Sequence, residues 1–197
     1  MVDARGYSCP IPVVMVQRAV KAENPDTVIV AVGGSRETRF SGDNVMSMDT
    51  FNEGKMGDHV VILGANLQAT GLAQYLIAKG KTVTMVHEGD ETSVDKEQSY
   101  WVRMYVKAHL YSHGVKVWNN ASVTAVDAEG VTIKLAQSEI EKQISCDTVF
   151  ECWDMVPNTA LAEEIQAAGF DVVCAGCDAP SNIQTAIHAG QMASRYL

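Results

Sequence analysis

The chain has 197 residues, of which 47% are hydrophobic, 20% charged and 7% aromatic, with 15 glycines and 5 prolines. At roughly 100–200 residues per domain, this favours one globular α/β domain, or one domain with a short extension. The net charge of −9 comes from 24 acidic and 15 basic residues. No basic cluster opposes it, so nucleic-acid binding is not expected, because phosphate neutralisation needs a basic surface.

Targeting signals are also missing from the sequence. No run reaches 18 apolar residues, so a membrane-spanning helix is not expected. Residues 1–5 carry no secretory hydrophobic segment. The five cysteines are an odd number, which favours reduced thiols over a disulfide framework. These features predict a cytoplasmic protein that does not bind membranes.

The predicted elements begin with a short helix. Cys9-Pro10-Ile11-Pro12 precedes apolar residues at helical spacing, which predicts a helix over residues 11–22 with Cys9 at its start. The β-branched run over residues 27–32 predicts a buried strand that ends at Gly33. Residues 35–58 are predicted to be an irregular connector with at most one short helix.

Residues 59–90 predict a βαβ unit. Residues 59–63 and 82–86 are the two strands, and Gly64-Ala65-Asn66 is the turn after the first strand. One face of the intervening helix is formed by Ala69, Leu72, Ala73 and Leu76. Two strands joined by a helix in this way pair in parallel with a right-handed crossover.

The rest of the chain continues the alternation. A helix is predicted over residues 95–113, and its apolar face is Trp101, Met104, Tyr105 and Ala108. Trp101 and Trp118 are expected to contact the core or a partner. Further strands are predicted over 115–118, 122–126, 131–135, 144–150 and 171–175, and helices over 159–167 and 181–195. The whole pattern predicts an α/β fold, a Rossmann-like doubly wound sheet with a small antiparallel β excursion.

A strand, a glycine turn and a helix N-terminus form the setting in which a dinucleotide pyrophosphate binds. In the G-x-G-x-x-G/A pattern, Gly64 is the first glycine and Ala69 fits the third position, with Ala65 and Leu67 between them. Asn66 replaces the second glycine, and its side chain is expected to intrude on the phosphate position. The alternative is a Rossmann-type half that packs a sheet and binds nothing.

Two polar residues follow the second strand of this unit. His87 lies where an acidic residue usually holds the ribose hydroxyls, and Glu88 is next to it. His87 would favour a 2′-phosphate, whereas Glu88 would supply the carboxylate after a small shift. The residues leave the choice between NAD and NADP open.

Segments spaced along residues 24–197 carry a resemblance to a known family. They are residues 24–34, 60–86, 146–149, 157–158, 175–183 and 186–190. In order and spacing they resemble the C-terminal FAD/NAD(P)-binding region of flavoenzymes of the dienoyl-CoA reductase and trimethylamine dehydrogenase type. These are oxidoreductases similar to the pyridine nucleotide-disulfide oxidoreductases.

The resemblance implies a domain organisation and cofactors. Residues 59–145 would be an NAD(P)-binding-like domain inserted into an FAD-type domain, whose remnants would be residues 27–58 and 146–197. NAD(P) or an ADP-like nucleotide would be the cofactor. FAD would bind only with a partner protein that supplies the missing flavin domain. The N-terminal FAD fingerprint and the flavin barrel are absent, so we expect a partial or accessory flavoprotein module.

The same resemblance implies flavin-side residues. Gly33 and the pair Gly176 and Asp178 would approach the flavin, although Cys177 displaces the family's aspartate by one position. Asp154 stands where the family usually has a glycine before Pro157-Asn158.

Residues 2–20 resemble a different family. The run from Asp3 to Val13 is similar to the opening of TusA-like sulfur carriers, with their Cys-Pro-x-Pro helix start. Residues 1–26 would then be a TusA-like βα stub and Cys9 a persulfide carrier, since a helix N-terminus lowers the pKa of a thiol. A Cys9-dependent sulfur carrier and a non-catalytic structural or interaction domain are therefore the two alternative functions.

Other cysteine and histidine patterns favour structural roles. Cys174 and Cys177 form a C-x-x-C that coincides with a strand-end glycine, and Cys146 and Cys152 flank a predicted strand as core residues. Their spacing fits no zinc site, and the i, i+4 pair His109 and His113 is better explained as a solvated helix face. No metal site is predicted.

The sulfur-carrier alternative makes a direct prediction. After incubation with a cysteine desulfurase and cysteine, intact-mass analysis should find one added sulfur on the chain, and Cys9→Ser should lose it. Cys174→Ser is the matched control and should still gain the sulfur. An unmodified wild-type chain would contradict a carrier role for Cys9.

Overall fold

The computed structural model of the chain describes residues 27–30, 33–138, 140–177, 180, 183–193 and 195. Cys9 and the helix predicted over residues 11–22 lie outside this part. Within it, no helix is both long enough and apolar enough to cross a membrane. The described residues form two compact units, one from residues up to Ser35 and from Met155 onward, and one from Arg36–Asp154.

The described residues form twelve strands and four α-helices. The strands are β1 Thr27–Val30, β2 Gly34–Arg36, β3 Val45–Ser47, β4 His59–Leu63, β5 Thr82–Val86, β6 Lys116–Trp118, β7 Ala121–Asp127, β8 Gly130–Leu135, β9 Glu141–Ser145, β10 Thr148–Glu151, β11 Met155–Pro157 and β12 Asp171–Cys174. The helices are α1 Leu67–Ala78, α2 Tyr100–Ser112, α3 Ala160–Ala167 and α4 Ile183–Ala193.

The Arg36–Asp154 unit is built on a five-stranded parallel sheet with the order β3-β10-β4-β5-β6. Helix α1 leads from β4 to β5, and α2 leads from β5 to β6. β10 is the last of the five in sequence, yet it pairs with β3 on one edge and β4 on the other. The strand order therefore reverses between β4 and β10.

The two faces of this sheet bury different elements, as the two-residue period of a strand requires. Val60 and Ile62 of β4 pack in one cluster with the apolar faces of α1 and α2. Val61 and Leu63 pack in a second cluster with Val131 and other residues of the antiparallel sheet β7-β8-β9. The predicted apolar face of α1 is buried in the first cluster.

The antiparallel excursion has one strand more than the sequence indicates. A tight turn joins β7 to β8, in which Asp127 Oδ1 accepts the N–H groups of Glu129 and Gly130 at 2.8 and 3.0 Å. The single strand predicted over residues 144–150 is wrong. It is divided between β9 and β10 at Asp147, whose Oδ2 accepts from the N–H groups of Asp58 and His59.

Two further expectations are wrong. The connector predicted over residues 35–58 contains the sheet strand β3 and a 3-10 helix at Glu53–Lys55. The helix predicted from residue 95 begins at Tyr100, and its buried residues are Val106 and Leu110. The predicted apolar face is exposed instead: Trp101 is 79% and Tyr105 70% accessible. Val106 and Leu110, four residues apart on one face, are the residues of this helix that pack into the first core cluster.

The second unit is smaller. β1 and β12 pair in parallel, with Thr27 opposite Asp171 and Val30 opposite Cys174. Ala162 and Ile165 of α3 pack with Val30 in its core. β2 and β11 form a separate two-stranded sheet. The α/β class, the parallel sheet and the antiparallel excursion are therefore confirmed.

Packing of the antiparallel sheet on the parallel one can be tested at β8. Ile133 is fully buried in the second cluster, so Ile133→Ala should lower the free energy of unfolding by about 2–5 kcal/mol. Gln143→Ala, an exposed position of β9, should change it by less than about 0.5 kcal/mol. Equal denaturation midpoints for the two variants would contradict this packing.

Candidate functional site

A cavity of about 280 Å³ lies at the carboxyl ends of β4, β5 and β10, within the Arg36–Asp154 unit. In open α/β sheets, ligands bind outside the carboxyl ends of the strands, where the strand order reverses. The cavity is lined by Arg39, Gly64, Ala65, His87, Glu88, Gly89, Ser93, Lys96, Cys152, Trp153 and Asp154. The sequence predicted four of these as site residues: Gly64, Ala65, His87 and Glu88.

Gly64 allows two strand ends to meet at the base of the cavity. Its φ is +114°, and a Cβ atom there would collide with the Cys152 carbonyl oxygen. Gly64 N–H donates to the Val86 carbonyl and Cys152 N–H donates to the Leu63 carbonyl, each at 2.8 Å. A side chain at position 64 is therefore excluded by the backbone itself, whether or not a ligand binds.

Asn66 has a structural role that the fingerprint does not suggest. It is the N-cap of α1, and its Oδ1 accepts from Ala69 N–H at 3.0 Å. Its Nδ2 donates to the carbonyl oxygens of Cys152 and Trp153 at 2.9 and 3.0 Å. Both ends of the amide are engaged, and Asn66 is not among the residues lining the cavity. The side chain joins the β4–α1 turn to the end of β10.

His87 is half-buried and held in one tautomer. Ser93 Oγ donates its proton to the Asp90 carbonyl oxygen at 2.7 Å, so His87 Nε2 carries the proton of the 2.8 Å bond to Ser93 Oγ. Burial lowers the pKa of His87, although the Asp154 carboxylate opposes this shift. The imidazole is therefore neutral at pH 7. A Cβ atom on Gly89 would lie 2.6 Å from Nε2, so this ring position requires glycine there.

Arg39 extends over the cavity from the loop before β3. Its guanidinium lies 4.1 Å from the centroid of the Trp153 ring and donates to Glu88 Oε1 at 3.0 Å. The buried Glu151 fixes this arrangement: its Oε1 accepts from Arg39 N–H at 2.8 Å and from Trp153 Nε1 at 2.9 Å. Glu37 forms a second ion pair with the guanidinium.

A second cation also lines the cavity. Lys96 Nζ lies 3.2 Å from Asp154 Oδ2, and both side chains are exposed. The two cations of the lining, Arg39 and Lys96, thus each pair with one of its two carboxylates, Glu88 and Asp154. With His87 neutral, the formal charge of the lining is zero.

Asp95 is a buried carboxyl beside the turn. Its N–H donates to the Ala65 carbonyl at 2.7 Å, and its φ is +51°. Neither carboxyl oxygen has a partner at full hydrogen-bond geometry among the described residues, although the Thr70 hydroxyl lies nearby. Burial raises the pKa of Asp95.

The cysteines of the described part are structural. Burial raises the pKa of Cys146 to about 11 and that of Cys152 to about 12, so neither is a thiolate nucleophile at pH 7. Cys177 is buried and its Sγ donates to the Val30 carbonyl, while Cys174 is half-buried and not in a disulfide. No group of residues in the described ranges has the arrangement of a metal site.

The remaining predicted site residues do not line the cavity. Leu67 and Ala69 lie in the first turn of α1. Gly33 and Gly176 belong to the other unit, both with positive φ, and Asp178 lies outside the described residues. Sequence reasoning missed Arg39, Ser93, Lys96 and Trp153. They come from connecting segments. Ion pairs hold Arg39 and Lys96 at the site, a ring contact holds Trp153, and a hydrogen bond to His87 holds Ser93.

The family of the chain follows from a match over most of its length. The family model for pyridine nucleotide-disulphide oxidoreductases matches residues 15–176. The chain therefore belongs to this family and has its FAD/NAD(P)-binding oxidoreductase fold. No curated protein matches the chain significantly.

Solved structures of larger enzymes contain the same fold. A 2-naphthoyl-CoA reductase in complex with 2-naphthoyl-CoA is 25% identical with a TM-score of 0.68, over 88% of this chain and 27% of that one. Histamine dehydrogenase from Rhizobium sp. 4-9 is 21% identical with a TM-score of 0.67, over 91% and 30%. LpdA from Mycobacterium tuberculosis is 16% identical with a TM-score of 0.63, over 86% and 43%. The chain thus spans less than half of each.

The role of Asn66 is testable by restoring the fingerprint glycine. Asn66→Gly removes the cap and the bonds to residues 152 and 153, so the free energy of unfolding should fall by about 1–3 kcal/mol. Asn52→Gly is the matched control, because Asn52 caps a 3-10 helix with a single bond to Gly54 N–H. Asn52→Gly should lower the free energy of unfolding by roughly a few tenths of a kcal/mol only. Equal losses in urea unfolding would refute the tie between turn and strand.

Proposed function

We propose that the cavity of the Arg36–Asp154 unit binds the adenosine diphosphate part of a pyridine nucleotide. The main support for this proposal is the position of the cavity, which lies where the strand order of the sheet reverses. Gly64 and Ala65 line one side of it and Glu88 lines the other. Its volume of about 280 Å³ suits part of a dinucleotide, since sites for whole ligands measure roughly 300–1,000 Å³.

The lining residues fit such a ligand chemically. The backbone of the Gly64-Ala65 turn, which lines the cavity, would face the phosphates. Glu88 would accept hydrogen bonds from the ribose hydroxyls, and the neutral His87 would lie beside the ribose. When bound, the nicotinamide would supply hydride transfer, and the chain would hold and orient it.

The chain would act as the nucleotide-binding module of a flavin-dependent oxidoreductase in the cytoplasm. The Arg36–Asp154 unit would be its NAD(P) part, wider than residues 59–145 because Arg39 and Trp153 line the same cavity. Residues up to Ser35 and from Met155 onward would be its FAD part. Gly33, Gly176 and Asp178 would approach a flavin held with a partner protein. The resemblance of residues 24–197 to larger flavoenzymes supports this, as does coverage of only 27–30% of two such structures.

The TusA-like opening is a separate proposal. The family match begins at residue 15, after Cys9, so a sulfur-carrier role for Cys9 depends on residues 2–20 alone.

Ligand binding tests the proposed function. NADH, NADPH, ADP and FAD would each be titrated into the full chain by calorimetry and by thermal unfolding. A ligand that binds only the folded state should add about 2.7 kcal/mol of stability at 100 times its Kd. The absence of any shift with NADH, NADPH and ADP would refute nucleotide binding.

Two charge-reversing variants test whether the nucleotide binds in this cavity. Lys96→Glu puts a negative charge on the cavity lining, and NADH affinity should fall by about tenfold, which corresponds to roughly 1.4 kcal/mol. Lys79→Glu makes the same change in net charge at the other end of α1, where Lys79 is also exposed and ion-paired. It should leave the affinity within about twofold, because salt screens the longer distance. Equal effects would exclude this cavity as the site.

A further inference from the structure

The two cations of the cavity lining differ in how they are held. Lys96 is a flexible side chain with one exposed ion pair. Arg39 is fixed at its base, because the buried carboxylate of Glu151 accepts from its backbone N–H and from the indole of Trp153, on which the guanidinium stacks. Only the outer end of Arg39 is free to exchange partners.

The partner at that outer end is weakly held. The side chains of Arg39 and Glu88 are 37% and 52% accessible, and an exposed ion pair contributes about 0–1 kcal/mol. Glu88 is therefore a displaceable counter-ion. A phosphate group would form stronger, paired hydrogen bonds with the planar guanidinium than the single 3.0 Å bond to Glu88.

We propose that Arg39 is the phosphate-binding residue of the cavity. Without ligand, Glu88 pairs with the Arg39 guanidinium, and a nucleotide phosphate displaces this carboxylate when it binds. The inference rests on the proposed nucleotide function and adds its anion-recognition residue. Displacement also frees the Glu88 carboxylate, which then becomes available to the ribose hydroxyls of the same ligand. One ion pair thus couples recognition of the phosphate to recognition of the sugar.

Nearby charges agree with this exchange. Glu37 also pairs with the guanidinium at 3.1 Å but is not among the lining residues, so it holds Arg39 in place without blocking the cavity. Lys96 supplies a second positive charge on the lining. Since the lining is neutral without ligand, an incoming pyrophosphate must replace a carboxylate at one of these cations.

Inorganic pyrophosphate, which has no ribose, isolates the Arg39 step. Calorimetric titration of the full chain should show binding, and Arg39→Gln should weaken it by about tenfold or more. Glu88→Gln removes the competing carboxylate and should strengthen it by roughly two- to fivefold. Arg36→Gln is the matched control: Arg36 is equally exposed and is paired with Asp49, but it does not line the cavity. It should bind like the wild type.

Optical and nucleotide measurements complete the test. Phosphate would replace Glu88 on the guanidinium that lies over the Trp153 ring, so ligand should alter the fluorescence of the wild type but not of Trp153→Phe. Unchanged pyrophosphate affinity in Arg39→Gln would overturn the inference. Wild-type binding of NADH that is equally strong in Arg39→Gln would overturn the inference and leave the proposed function standing. Arg39-dependent pyrophosphate binding without any nucleotide binding would support Arg39 as the anion-binding residue and overturn the proposed function.

Discussion

The close approach of Gly64 to the Cys152 carbonyl is the constraint on which the site depends. It brings the end of β4 against the end of β10, and no residue with a side chain fits between them. Asn66 strengthens the same contact with hydrogen bonds from its amide. Since Trp153 follows directly, the contact also fixes the platform on which Arg39 lies. The backbone contact at Gly64, the cap of α1 and the stacking of Arg39 on Trp153 therefore all depend on where β4 and β10 meet.

Charge balance makes the proposed phosphate site compatible with a strongly acidic chain. The net charge of −9 opposes phosphate at long range, but salt screens interactions beyond about 10 Å. Inside the cavity the ion pairs of Arg39 and Lys96 leave the lining neutral. The unliganded site therefore exposes no unpaired cation of its lining to other polyanions.

The sequence predicts elements well where one period dominates. The β4–α1–β5 unit follows from buried strand runs and a helical apolar face. β3 escapes detection because three residues, Val45–Ser47, carry no period, and β9 and β10 merge because the break at Asp147 depends on bonds to distant N–H groups. At the site, motif residues 64, 65, 87 and 88 are found by spacing. Arg39 and Trp153 are not, since their meeting depends on Glu151, a tertiary contact with no local pattern.

The position of β10 has a consequence for how the chain folds. It fills the centre of the parallel sheet, with Thr148 opposite Val60, although three antiparallel strands precede it. β4, β5 and β6 can pair as soon as they are made, whereas β3 cannot join them until β10 arrives. Contacts this distant in sequence are slow to form, because the loop-closure entropy precedes the gain. During synthesis the cavity is therefore complete only after residue 154 has left the ribosome, and the proposed nucleotide site does not exist before then.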